Sequence, residues 1–535
     1  MKNAILKGTF ILTITGLLTR ILGFFYRIYL ADAIGAEMLG IYQLIFPVYG
    51  ICYTIYASGI QTAVSKLVAE AAMQQNYRRT LRILGLALGS SFSLACILAA
   101  LVYTNCDFIA GSLLMEPRTA SSLKLLALTF PFCSITACIN GYYYGHKKTI
   151  IPATTQLLEQ IVRMVAVFLF SSFLVGNTGF TCELAVIGLL IGEMISCFYN
   201  VCSLPVSIKK NGSKKTTAES LTKNFTTNST KYAIKKQVHT SASFTQNYQP
   251  TSKTPIIKHL FSLALPLSAN RLIINILHSF ESVLVPYLLK ISGLSDAESL
   301  RLFGILNGMV LPFILFPSTL TNSLSVLLLP AISEANAAGN TTVLRKTSAL
   351  SIKYSLLIGI FSSSFFLYFG MPLGTLFFHE TLAGSYLRVL SFLCPFLYVS
   401  TTLVSIINGL GKAHLTFYTS VCSMVIRILV LLLLIPQTGL YGYLLALLIS
   451  QLFITLCDSS IVWHFIKTFP SALHTIVLPA LAAFLLGFFF SAFYERLLLT
   501  NATPILLLSL VSLLFCFCYL AFLLWSKIIG KQDFM

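Results

Sequence analysis

Fourteen apolar stretches divide this chain from end to end, each near or above the roughly 20 residues that a helix needs to cross about 30 Å of hydrocarbon. They fall at 9–30, 39–65, 83–103, 123–145, 152–175, 184–205, 257–280, 303–330, 351–378, 386–410, 415–436, 440–463, 472–493 and 504–527. Backbone polar groups must be satisfied internally in lipid, and helices do so within one segment. The pattern predicts an all-α polytopic membrane protein with about 14 transmembrane helices. The composition excludes a soluble globular enzyme: 56% of 535 residues are hydrophobic, 10% are charged and the mean hydropathy is +0.84. The first span follows Lys2 and Lys7, is interrupted by Arg20 and Arg27, and has no small-residue cleavage site after it, so it reads as a retained helix.

Lys and Arg set the expected orientation. Both termini and every even-numbered loop are basic, for example Arg78, Arg79 and Arg82, Lys147 and Lys148, Arg345 and Lys346, and Lys412. These are expected to face the cytoplasm, in a multi-pass protein of the cytoplasmic membrane. The net charge of +19 comes mostly from this bias and from a Ser-, Thr- and Asn-rich segment at 207–255 that holds nine lysines against Glu219. It reads as a disordered tether drawn to anionic lipid, with no nucleic-acid partner implied. Cysteines such as Cys133, Cys138, Cys422 and Cys516 sit inside apolar spans with no C-x-x-C pair, so no metal or redox cofactor is expected.

One offset, 264, aligns landmarks in the two halves: Glu70 with Glu334, Asn76 with Asn340, Pro131 with Pro395 and Arg163 with Arg427. "ING" at 139–141 recurs at 407–409, four residues out of step, as a small indel would produce. Each repeat has six spans, an even number, so the two are parallel and related by an axis along the membrane normal. The expected organisation is an N-lobe at 1–205, a basic linker at 206–256, a C-lobe at 257–468 and two appended helices at 469–535.

Charge at mid-membrane marks the candidate site. An arginine at the centre of a spanning helix costs about 2.5–3.5 kcal/mol on insertion scales, so it faces water or an anion. Arg20 and Arg271 lie about half-way along the first and seventh spans, on opposing lobes, and Gly16, Arg20, Gly23 and Arg27 share one stripe. A guanidinium offers a planar fork of donors that suits a phosphate or diphosphate. Glu159 and Arg163 stand at i, i+4 and are expected to pair, whereas Arg427 has no carboxylate at the matching place on its own helix. Asn270, Asn275, His278 and Glu281 make the seventh span unusually polar, with His278 and Glu281 read either as reaching the outer interface or as a proton- or ion-coupling pair. A membrane-embedded glycan polymerase or transferase would need paired carboxylates or histidine bases at a membrane face, where His379 with Glu380 is the only close pair, and no catalytic residue is assigned.

"TRILGFFYRIYLADAIGAEMLGIYQLIFPVY", "ASGIQTAVSKLVAE" and "GYYYGHKKTIIPATTQLLEQIVR" together resemble the stage V sporulation protein B family of polysaccharide transporters. That family lies within the multidrug/oligosaccharidyl-lipid/polysaccharide exporter superfamily, and the resemblance covers nearly the whole chain. It implies two six-helix lobes around a central cavity, alternating access, and carriage of an isoprenoid-linked saccharide such as lipid II. Its lipid II flippase branch uses cavity arginines on the first and seventh helices, and Arg20, Arg27 and Arg271 match those positions. The leading expectation is therefore a flippase for a peptidoglycan precursor, with spore cortex as one destination, helices 13 and 14 holding the lipid tail, and cell-wall synthesis proteins as candidate partners. An ion-coupled multidrug exporter of the same fold and a non-transporting partner of cell-wall enzymes are the alternatives.

Overall fold

The first helical path turns at Gly35, whose backbone (φ 75°, ψ 169°) suits a residue without a Cβ. In the computed structural model, which describes residues 2–74, 76–174, 182–224, 255–468, 470–499 and 503–530, this break separates α1 (2–34) from α2 (36–73). There follow α3 (Tyr77–Thr104), α4 (Pro117–Ala127 and Phe130–Gly145), α5 (Ile150–Leu174) and α6 (Cys182–Asn224). The second half holds α7 (Ile256–Ile291), α8 (Asp296–Leu315 and Ser318–Ala337), α9 (Thr341–Phe378), α10 (Thr381–Leu390 and Leu393–Gly409), α11 (Ala413–Thr438) and α12 (Leu440–Ile466). Last come α13 (Leu473–Leu497) and α14 (Pro504–Trp525). Among the described residues there are 11 helices long and apolar enough to cross a membrane, or 13 with the two bent pairs, and division at Gly35 brings the number to fourteen. The chain is an all-α multi-pass membrane protein, and all thirteen cysteines are free thiols.

Two boundaries differ from the sequence reading. α7 runs to Ile291 rather than ending near 280, leaving a turn at 292–295 before Ser295 caps α8 by accepting from the Glu298 N–H at 3.3 Å. α6 continues to Asn224, into the segment read as linker, where lysines, Ala218 and Glu219 favour a helix and no proline intervenes after Pro205. Residues 225–254 of that segment lie outside the described residues.

The 264 offset is also a spatial one. Asn76 caps α3 by accepting from Arg79 N at 3.0 Å, and Asn340 caps α9 by accepting from Val343 N at 3.1 Å. The two halves of α4 are bent by 47°, those of α10 by 56°. Gly145 lets α4 approach α2 so closely that a Cβ would lie 2.7 Å from Ser65 O, and Gly409 repeats this in α10 at 3.1 Å from Leu329 O. The "ING" recurrence needs no indel: Gly145 is the mate of Gly409, and Gly141 lies one turn earlier against Gln61 O and Val64. Replacing Asn340 by alanine strips the α9 cap and should cost about 1 kcal/mol, read as a lower unfolding midpoint in detergent.

The halves meet on their symmetry axis. A Cβ on Gly40 of α2 would overlap Leu300 O of α8, and one on Gly304 of α8 would overlap Ala36 O of α2. Residues 36 and 40 map onto 300 and 304, so each half presents the same patch to the other, as a two-fold contact requires. This crossing lies near Gly35, on what is here termed the far face; the N-terminus and the turns after α2, α4, α8 and α10 share the opposite N-face. α13 and α14 both pack on α9: Ser364 Oγ donates to Ala483 O at 2.7 Å, and the Phe361 ring lies 5.0 Å from that of Phe515.

Candidate functional site

From the axis toward the N-face, α7 closes on α2 through a ladder of polar side chains one turn apart. Thr54–Ser58 of α2 form a π-turn, a local widening common where helices carry function. Arg271 Nη1 donates to Ser58 Oγ and to Ser58 O at 3.3 Å. Asn275 Nδ2 donates to Thr54 Oγ1 at 2.6 Å and to Gly50 O at 3.2 Å, and Ser279 Oγ donates to Pro47 O at 3.3 Å. Below the ladder Gly59 abuts Ala264 O and Ser268, so the two backbones nearly touch.

The symmetry-related pair is α1 and the second half of α8. Phe24 packs at a tilt against Phe313 and Phe316, ring centres 4.5 and 5.0 Å away, but toward the N-face Ile14, Leu18 and Arg20 are exposed. Arg20 has no hydrogen bond or ion pair among the described residues. Arg20 and Arg271 are 251 apart, and Asn322 corresponds to Ser58 at 264. Arg271 thus bonds its facing helix, whereas Arg20 is exposed and, among the described residues, bonds nothing on its own. Beside Phe24 and Phe316 lies an apolar groove of about 620 Å³, walled by Leu320, Phe361, Phe365 and Cys516 among others on α8, α9 and α14.

Each half also holds a charge cluster built on the equivalent arginines Arg163 and Arg427. Arg163 on α5 pairs with Glu159 one turn before it, as expected. Buried Glu193 of α6 lies within electrostatic reach of both. Arg27 of α1 is exposed and has no hydrogen bond or ion pair among the described residues. Arg427 of α11 does find a carboxylate, supplied from α7: its Nη1 donates to Glu281 Oε2 at 3.3 Å, and its Nε donates to Ser450 Oγ at 2.8 Å. Tyr443 OH donates to Glu281 Oε1 at 3.3 Å. Glu281, 4% exposed, is thus a buried anchor.

His278 Nδ1 lies 3.5 Å from Glu281 Oε2, while the exposed ring opens onto a polar cavity of about 200 Å³ between α2, α7 and α8. Asn270 is exposed with no hydrogen-bond partner among the described residues. Sequence reasoning missed Glu193 and Ser58. The signal for Glu193 was Gly188 and Gly192, a small-residue stripe that presses α6 onto α5.

A family model described as "Polysaccharide biosynthesis protein" matches residues 5–336. The chain belongs to that family. A second model, MatE, matches residues 274–433. Stage V sporulation protein B of Bacillus subtilis (strain 168) is 26% identical over 465 residues, 86% of this chain and 84% of that relative. The lipid II flippase MurJ of the same organism is 25% identical over 215 residues, 37% of this chain and 40% of its own. Among solved structures, a lipid II flippase MurJ in an inward closed conformation superposes with TM-score 0.63 at 18% identity, covering 96% of this chain and 99% of that one. An inward-facing MATE multidrug transporter of the MOP superfamily gives 0.62 at 14%, covering 85% and 96%. Family and fold together place the chain in the multidrug/oligosaccharidyl-lipid/polysaccharide exporter superfamily.

Proposed function

We propose that this chain is a flippase that carries a polyprenyl-diphosphate-linked saccharide, such as a lipid II-like peptidoglycan precursor, across the cytoplasmic membrane by alternating access. The observation that carries the reading is the pair Arg20 and Arg271, repeat-related cations at mid-membrane on opposite lobes, one docked on Ser58 and one free. Guanidinium forks suit a diphosphate and disfavour a cationic drug. Arg27, about two turns further along α1, adds a third cation, and Glu159, Arg163 and Arg427 hold the lobes' charge clusters. Closure of α1 on α8 would bring Arg20 toward Asn322 as Arg271 meets Ser58, and exchange between the two closures is the transport step.

The apolar groove supports a place for the polyprenyl tail, since a chain of isoprene units needs a lining free of charge. The basic N-face supports cytoplasmic termini. The sequence likeness to stage V sporulation protein B supports a role in spore cortex supply, with cell-wall synthesis proteins as partners. The reading is tested in proteoliposomes with lipid II and a short-chain analogue. Wild type moves both, and Cys516→Trp, which fills the groove, slows lipid II about tenfold while sparing the short chain. Equal rates for lipid II in wild type and variant would remove the groove from the path, and no movement of either lipid by wild type would remove the function.

A further inference from the structure

We infer that the polar cavity between α2, α7 and α8 binds one neutral sugar ring of the carried headgroup, an inference that rests on the proposed diphosphate site at Arg271. The cavity of about 200 Å³ is lined by Gln43, Asn275, His278, Ser282 and Asn307, with Phe46 and Phe303 as its flat apolar walls. Several of its polar groups are unspent. Gln43, half-buried, has no hydrogen-bond partner for either end of its amide among the described residues. Asn275 commits its Nδ2 to Thr54 and Gly50, leaving Oδ1, and His278 turns Nδ1 to Glu281, leaving Nε2. Polar groups at membrane depth are costly unless water or a ligand uses them.

The chemistry of the lining selects among ligands. An anion would prefer the guanidinium outside the cavity. A cation would need a carboxylate, and the nearest, Glu281, is already engaged by Arg427, Tyr443 and His278. Uncharged amides, hydroxyls and an imidazole that both donate and accept, set between aromatic faces, match a ring bearing hydroxyls on its edge and C–H groups on its flat sides. Position agrees: Asn275 is one turn beyond Arg271 and His278 nearly two, so the cavity begins about 6 Å along the helix from the proposed diphosphate. It has room for one ring, the sugar bonded directly to that diphosphate.

The test measures binding to the full-length protein in nanodiscs, with lipid II and with sugar-free undecaprenyl diphosphate as probes. Wild type should prefer lipid II. Gln43→Ala should weaken lipid II about tenfold, the loss of one or two good hydrogen bonds, and leave undecaprenyl diphosphate within about twofold. Gln43→Trp, which fills the cavity, should show the same selective loss, while Arg271→Ala weakens both probes. If the Gln43 variants weaken both probes alike, or neither, while Arg271→Ala still weakens both, the sugar site is overturned and the diphosphate site stands. If Arg271→Ala changes neither probe, the diphosphate site falls and the sugar site with it.

Discussion

Cutting Glu281 back to alanine is expected to destabilise the protein by about 3–5 kcal/mol, because it strands the Arg427 guanidinium inside the C-half without a counter-charge. The side chains are 5% and 14% exposed, so water cannot take over the role of the lost carboxylate. Tyr443 would lose its acceptor as well. Arg427→Ala should cost a similar amount for the reciprocal reason. Removing both charges at once, Glu281→Leu with Arg427→Met, should recover most of the loss, since an apolar pair of like volume needs no desolvation to be offset. Unfolding midpoints in detergent decide the matter: single variants within about 1 kcal/mol of wild type, or a double variant no better than either single one, would show that the pair is not the anchor described.

The second large effect is steric. Gly304→Val places two methyl groups where even a Cβ would overlap Ala36 O, at the crossing of α2 and α8 on the symmetry axis. Overpacking a tight contact costs about 1–3 kcal/mol when neighbours can move, and here the neighbour is backbone. The halves should be forced apart at the far face, with amide exchange faster by at least about tenfold across residues 36–44 and 300–308, and with transport lost. Gly40→Val should behave in the same way, since 40 and 304 are equivalent positions. A serine at 304 that preserved both exchange protection and transport would contradict so close a contact.

The spans and the duplication were legible in the sequence because each rests on local or periodic information: apolar runs of spanning length, and one offset shared by a cap asparagine, a bent helix and an arginine. Partners across the fold were not. Glu281 lies 146 residues from Arg427 in the chain, and nothing on α11 announces that its carboxylate arrives from α7. Ser58 carries no signature either; it matters because a π-turn in α2 faces Arg271 at that depth. The length of α7 beyond 280 was obscured by Glu281 and His278, whose polarity reads as a membrane surface until their buried partners are seen. Arg20 and Arg271 were visible as anomalies from the outset, but the asymmetry between them, one docked and one free, belongs to the packing of four helices.

The measurement that bears most directly on the account is leaflet-resolved translocation of lipid II in proteoliposomes, comparing wild type with Arg20→Ala and Arg271→Ala at matched protein levels. Loss of a charge-assisted contact to phosphate is worth about tenfold to a hundredfold. The account predicts rapid movement by wild type and a loss of that size in each variant. Translocation at the wild-type rate in both variants would contradict it, and would make the two arginines structural.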